Sequence, residues 1–147
     1  MRHYSITVDI AAPPRRVFDV MTDIERWHEW TESISGIEKL DAGELRVGSR
    51  ARVRQPKLPP ATWTVTEIIP NKGFTWTSSA PGVLVTASHT VVAKGTGSQA
   101  TLELHFDGLA GGVLGRLTSG LNEHYLALES SGLKRRSEHP PATARLK

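Results

Sequence analysis

The 147-residue chain contains no cysteine, which excludes disulfides, thiolate metal sites and a cysteine nucleophile, and fits a reducing compartment such as the cytoplasm. No stretch approaches the roughly 20 consecutive apolar residues of a membrane span. The N-terminus, MRHYSITVDI, alternates instead of forming the apolar core of a signal peptide. Neither secretion nor stable membrane anchoring is expected, and a cytoplasmic location is. Also missing are a GxSxG elbow and an HExxH spacing. Gly111-Gly112 and Gly115 are not followed by the Lys-Ser/Thr of a phosphate loop, and they read as a flexible entry to a helix that could gate a pocket. No cofactor motif occurs, so no cofactor is expected.

Strong basicity is lacking too, despite a pI near 9.5. From Lys134 onward five bases face one acid, Glu138, while the remaining body carries 13 bases against 14 acids. A nearly neutral body does not predict counterion-release binding to nucleic acid. The basic residues read as a solvated tail, with a protein-interaction role for that tail as the other reading. A chain of this length can bury about two-thirds of its unfolded surface in one core. One domain over 1–138 is expected, followed by a disordered basic tail over 139–147. Aromatics make up only 6% of the chain, yet four of them are Trp, enough for a substantial core or cavity wall.

Tyr4, Ile6, Val8 and Ile10 alternate with polar residues, the period-2 signature of a strand with one buried face. Ala12-Pro13-Pro14 ends that strand and opens a helix carrying Val17, Phe18, Val20 and Met21. Thr22 or Asp23 caps a second short helix, in which Ile24, Trp27 and Trp30 share a face. Strands are predicted over 34–40, 49–55, 62–69, 74–79, 83–92 and 100–106. Their dividers are hairpin-sized, so the run must be an antiparallel meander. After Gly112 the period changes to 3.6. Val113, Leu114, Leu117, Leu121, Tyr125 and Leu128 predict one amphipathic helix of about five turns. A curled sheet covered on its concave face by that helix leaves a pocket where the two do not touch.

This order resembles the polyketide cyclase/dehydrase branch of the START-like (SRPBCC, helix-grip) superfamily, which also contains the major birch-pollen allergen. The resemblance rests on Val8-Asp9-Ile10-Ala11-Ala12-Pro13 leading into Val17–Asp23, and on the Trp27 and Trp30 pair. It continues in Trp63-Thr64-Val65-Thr66-Glu67 with Pro70 and Phe74-Thr75-Trp76, and in Gly132-Leu133-Lys134. It implies an α+β helix-grip fold: a curled antiparallel sheet of about seven strands wrapped around a long C-terminal helix, with two short helices after strand one. It further implies a hydrophobic or aromatic small-molecule ligand, lipid or polyketide-like, with cyclisation in some members and no known enzymatic activity in many. A homodimer is left open. No catalytic residue carries over by motif, and Trp27 and Trp30 correspond to positions that mostly build structure.

Strand parity selects the candidates. It turns Trp63, Val65, Glu67 and Ile69 inward, then Phe74, Trp76 and Ser78, then Val85 and His89, then Leu104 and Phe106. The expected ligand-binding set is Trp63, Val65, Trp76, Val85, His89, Leu104, Phe106, Leu117, Leu121 and Tyr125. Glu67 and His89 are the ionisable groups on this wall, and each is either paired structurally or serves as an acid/base group or anchor. With the turns placed at Asn71-Lys72 and Ala80-Pro81, the two lie roughly 16 Å apart on a flat sheet, too far for direct contact. The Tyr125 hydroxyl is a third catalytic candidate and a single polar anchor, and Asn122 and His124 could face the pocket mouth. Parity sets His89 and His105 on opposite faces, so no metal site is expected.

Overall fold

The alternation at the N-terminus produces β1 (Arg2–Ile10), in which Tyr4 and Ile10 are buried while the odd-numbered residues face outward. The structure is a computed structural model that describes residues 2–140. The tail expected from 139 onward therefore lies, for 141–147, outside the described residues. After Pro13, α1 (Pro14–Thr22) starts with proline at its first position, where a missing N–H costs nothing. A short 3-10 helix (Ile24–Glu29) follows. Val17, Met21, Ile24, Trp27 and Trp30 from this stretch of chain are all buried, and the Trp27 indole N–H donates to the Met21 carbonyl at 3.0 Å.

Six further strands complete the sheet: β2 (Gly36–Lys39), β3 (Arg50–Arg54), β4 (Ala61–Ile69), β5 (Gly73–Ala80), β6 (Val83–Lys94) and β7 (Gly97–Asp107). Every neighbouring pair is antiparallel, in the order β1-β7-β6-β5-β4-β3-β2. From β2 to β7 successive strands are thus neighbours, as hairpin-sized connections require.

Two registers differ from expectation. A β-bulge between Val65 and Glu67 sets Val65 opposite Trp76 and Glu67 opposite Thr75. One extra residue on a strand reverses the parity of everything after it. Glu67 and Ile69 consequently face solvent, and Ile68 turns inward against the core. In the β5–β6 hairpin Ala80 pairs with Val83, so Trp76 sits opposite Ala87 and Phe74 opposite His89. That two-residue slide leaves parity intact and brings His89 beside Phe74.

The C-terminal helix is two segments, α2 (Gly111–Leu117) and α3 (Ser119–Glu138). Backbone hydrogen bonding runs across the junction, from Thr118 N–H to Leu114 and from Asn122 N–H to Thr118. The Thr118 hydroxyl also donates back to the Leu114 carbonyl at 2.8 Å, a competing bond that bends helices. Leu117, expected to face the sheet, is 79% exposed. The inward face of α3 is instead Asn122, Tyr125, Leu126, Ser130, Gly132, Leu133 and Ser137.

That face is held tightly at one end. A Cβ on Gly132 would meet the carbonyl carbon and Cε3 of Trp30 at 2.9 Å each, so only glycine lets the helix approach this closely. Arg135 donates to the Trp30 carbonyl at 2.9 Å, Arg136 pairs with Glu29, and Glu138 accepts from the Ala11 N–H at 2.8 Å. Gly111 and Gly115 of α2 serve packing: a Cβ on Gly111 would meet the Phe106 carbonyl carbon at 2.9 Å and one on Gly115 would meet Arg2 Cβ at 2.8 Å, and the Gly115 carbonyl accepts from the buried Tyr4 hydroxyl at 2.6 Å.

Candidate functional site

Between the concave face of the sheet and the α2–α3 unit lies a cavity of about 320 Å³, within the range of small-molecule sites. The sheet supplies Val53, Trp63, Trp76, Val85, Ala87, His89, Leu102, Leu104 and Phe106. The 3-10 helix adds Trp27, and the helices add Leu114, Asn122, Tyr125, Leu126 and Glu129. Three of the four tryptophans therefore line one space. Trp76 links the other two, with ring centroids 5.6 Å from Trp27 and 5.7 Å from Trp63.

His89 sits inside this aromatic wall. Its ring stacks on Phe74 at 4.5 Å and meets Trp27 edge-on at 5.2 Å. Nδ1 lies 3.4 Å from the Phe74 carbonyl oxygen. A carbonyl can only accept, so Nδ1 carries the proton and Nε2 keeps a free lone pair. Burial among apolar rings disfavours the imidazolium and lowers the pKa of His89 to about 4. The ring is neutral at physiological pH.

Glu129, on α3, is the ionisable group that parity reasoning did not reach. Burial pushes its carboxyl up to about 7, and the Ser33 hydroxyl, at 3.5 Å, offsets this only partly. Ser33 is fully buried and is itself tied to Thr31 at 2.7 Å. Glu129 thus changes charge near neutrality, whereas His89 does not. The signal was present in the sequence: Glu129 follows Leu126 by three residues and Asn122 by seven, the spacing of one helical face.

The family model described as polyketide cyclase / dehydrase and lipid transport matches residues 1–138. The chain belongs to that family. No curated protein matches it. Among solved structures, it is similar to the Zhui aromatase/cyclase from Streptomyces sp. R1128, with a TM-score of 0.77 and 19% identity over 97% of both chains. TTHA0849 from Thermus thermophilus gives a TM-score of 0.74 at 19% identity, covering 92% of this chain and 97% of that one. A START superfamily protein from Mycobacterium smegmatis gives 0.72 at 17% identity, with 91% and 97% covered. At these identities the likeness concerns the fold, which is the START-like helix grip. Among the described residues no helix is long and apolar enough to cross a membrane.

Within this family fold, the cavity wall includes seven of the residues selected from sequence: Trp63, Trp76, Val85, His89, Leu104, Phe106 and Tyr125. Val65 faces inward but is buried in the core beneath the wall. Leu117 points to solvent and Leu121 is half-buried outside the lining, because the interruption at Thr118 and the true phase of α3 turn both away. Glu67 is exposed on the outer face as a result of the bulge, so it cannot join His89. The Tyr125 ring lines the cavity, and its hydroxyl donates to the Pro56 carbonyl, fastening the β3–β4 loop to α3 and leaving the oxygen lone pairs to accept from a ligand. Asn122 faces the cavity, with its amide bonded to Thr118 at 2.9 Å, while His124 is exposed.

Proposed function

We propose that the protein binds a hydrophobic, at least partly aromatic small molecule, lipid-like or polyketide-like, in the cavity beneath α3. The observation that carries this reading is the wall of Trp27, Trp63 and Trp76 around a mostly apolar space. Flat apolar ligands gain both area burial and ring contacts against such a wall. Glu129 and the His89 Nε2 lone pair supply two hydrogen-bonding points, so the preferred ligand is a mainly apolar body with one or two protic groups. Tryptophan fluorescence and thermal shift against a panel of fatty acids, flavonoids and polyketide-like aromatics test this. Saturable quenching with a raised Tm is expected from some members, and silence across the panel overturns the reading.

A second reading is cyclase, dehydratase or isomerase chemistry on the same class of molecule. It is favoured by one observation: a cavity carboxyl that exchanges its proton near pH 7, alongside a neutral imidazole. In that case Glu129→Gln abolishes turnover of a bound substrate and leaves its Kd nearly unchanged. A binder without catalytic activity shows no turnover in either form.

A further inference from the structure

The outer face of the sheet carries a second constellation, built on β1 and β7, whose Glu103 also borders the cavity. In the β1–β7 register His3 stands directly opposite His105, and Glu103 precedes His105 by two residues, placing all three side chains on one face. The two imidazole rings stack with centroids 4.2 Å apart and planes within 16°. Both Nε2 atoms converge on one carboxylate oxygen, Glu103 Oε2, at 3.8 Å from His3 and 3.4 Å from His105. All three ligand atoms lie within 4.8 Å of one another.

We propose that His3, Glu103 and His105 form a binding site for a zinc-class divalent metal ion. Zinc bonds of about 2.0–2.1 Å in a tetrahedral shell place neighbouring donors roughly 3.4 Å apart. Two of the three spacings are already near that value, and the third closes by rotation of side chains that are 29–43% exposed. Each Nε2 lone pair lies in its ring plane, so coordination also requires the two stacked rings to turn out of parallel toward Glu103 Oε2, a movement open to partly exposed side chains. Two imidazoles with one carboxylate select zinc, cobalt, nickel or copper over magnesium or calcium. The fourth position opens to solvent. Because the ligands come from two strands roughly a hundred residues apart in the chain, no local spacing in the sequence reveals the set. β1 is an edge strand, and a metal here ties it to β7.

The test uses untagged, chelator-treated protein and zinc alone, followed by competition with a chromophoric chelator and by the visible spectrum of the cobalt form. The expected result is saturable uptake of about one ion per chain, a tetrahedral-type cobalt spectrum and a raised Tm. His3→Ala or His105→Ala should weaken uptake by at least ~10-fold, judged by the 10–100-fold cost of losing even outer-shell partners. Replacement of the exposed His124 by Ala should change nothing. All three positions are at least partly exposed, and circular dichroism verifies that each variant folds. Absence of stoichiometric uptake, or uptake unchanged in the His3→Ala/His105→Ala double variant, overturns the proposal.

Discussion

Replacing Glu129 by glutamine keeps the shape of the side chain and removes its charge, and its consequence for stability can be worked out. In the unfolded chain the carboxyl ionises near 4.5, and in the fold near 7. Below pH 4.5 it is protonated in both states and costs nothing. Between pH 4.5 and 7 folding takes up a proton, so stability falls as pH rises. Above pH 7 the full difference is lost, about 3 kcal/mol as an upper limit at 1.36 kcal/mol per pKa unit. The glutamine variant escapes this loss. Urea titrations of both proteins at pH 5, 6, 7 and 8 should show the variant gaining on the native protein by about 2–3 kcal/mol across the series, with other titrating groups cancelling in the difference. A difference that does not change with pH refutes the argument that the carboxyl is desolvated.

His89 has the opposite sign: its pKa falls from 6.5 to about 4 on folding. Its neutral form therefore stabilises the fold above pH 6.5, and up to about 3 kcal/mol is lost as pH drops to 4. In His89→Phe that acid slope should flatten, as acid titration followed by near-UV circular dichroism would reveal. Gly132→Ala should cost about 1–3 kcal/mol or more through collision with Trp30. Gly120→Ala, with nothing within 4 Å of the added carbon, should be neutral or stabilising by up to about 1 kcal/mol. Denaturant melts of the pair separate the two effects. Leu126→Ala should lose about 2–5 kcal/mol and Leu117→Ala less than about 0.5, reflecting 5% and 79% exposure. Equal losses in thermal melts would contradict the assigned helix phase.

The strands were legible because hydrophobic alternation reports burial directly, as Tyr4, Ile6, Val8 and Ile10 in β1 and Ala100, Leu102, Leu104 and Phe106 in β7 show. The bulge at Val65–Glu67 was not, since neither Thr66 nor Glu67 differs in type from a residue in regular pairing, and everything after it changed face. The helix was misphased for a related reason. Its inward side faces a cavity and a tight glycine contact, so Asn122, Glu129, Ser130 and Ser137 occupy positions that a packed core would fill with apolar residues. Leu117 and Leu121 then looked like the stripe. Glu129 was missed because a charged helix residue is normally solvated, and only the corrected phase shows it facing inward.

The fastening of α3 gives the molecule the mechanics of a beam held at both ends. Gly132 against Trp30, Arg135 on the Trp30 carbonyl and Glu138 on the Ala11 amide act as one support. The other is reached through Thr118, where α2 rests on β1 by the close approach of Gly115 to Arg2 and by the Tyr4 hydroxyl. From Gly132 back to Ser119 the span is about 20 Å long, and the Tyr125 hydroxyl props it on the Pro56 carbonyl. A span propped at three points resists lifting as one piece, so room for a ligand beneath it comes from side-chain movement and not from displacement of the helix.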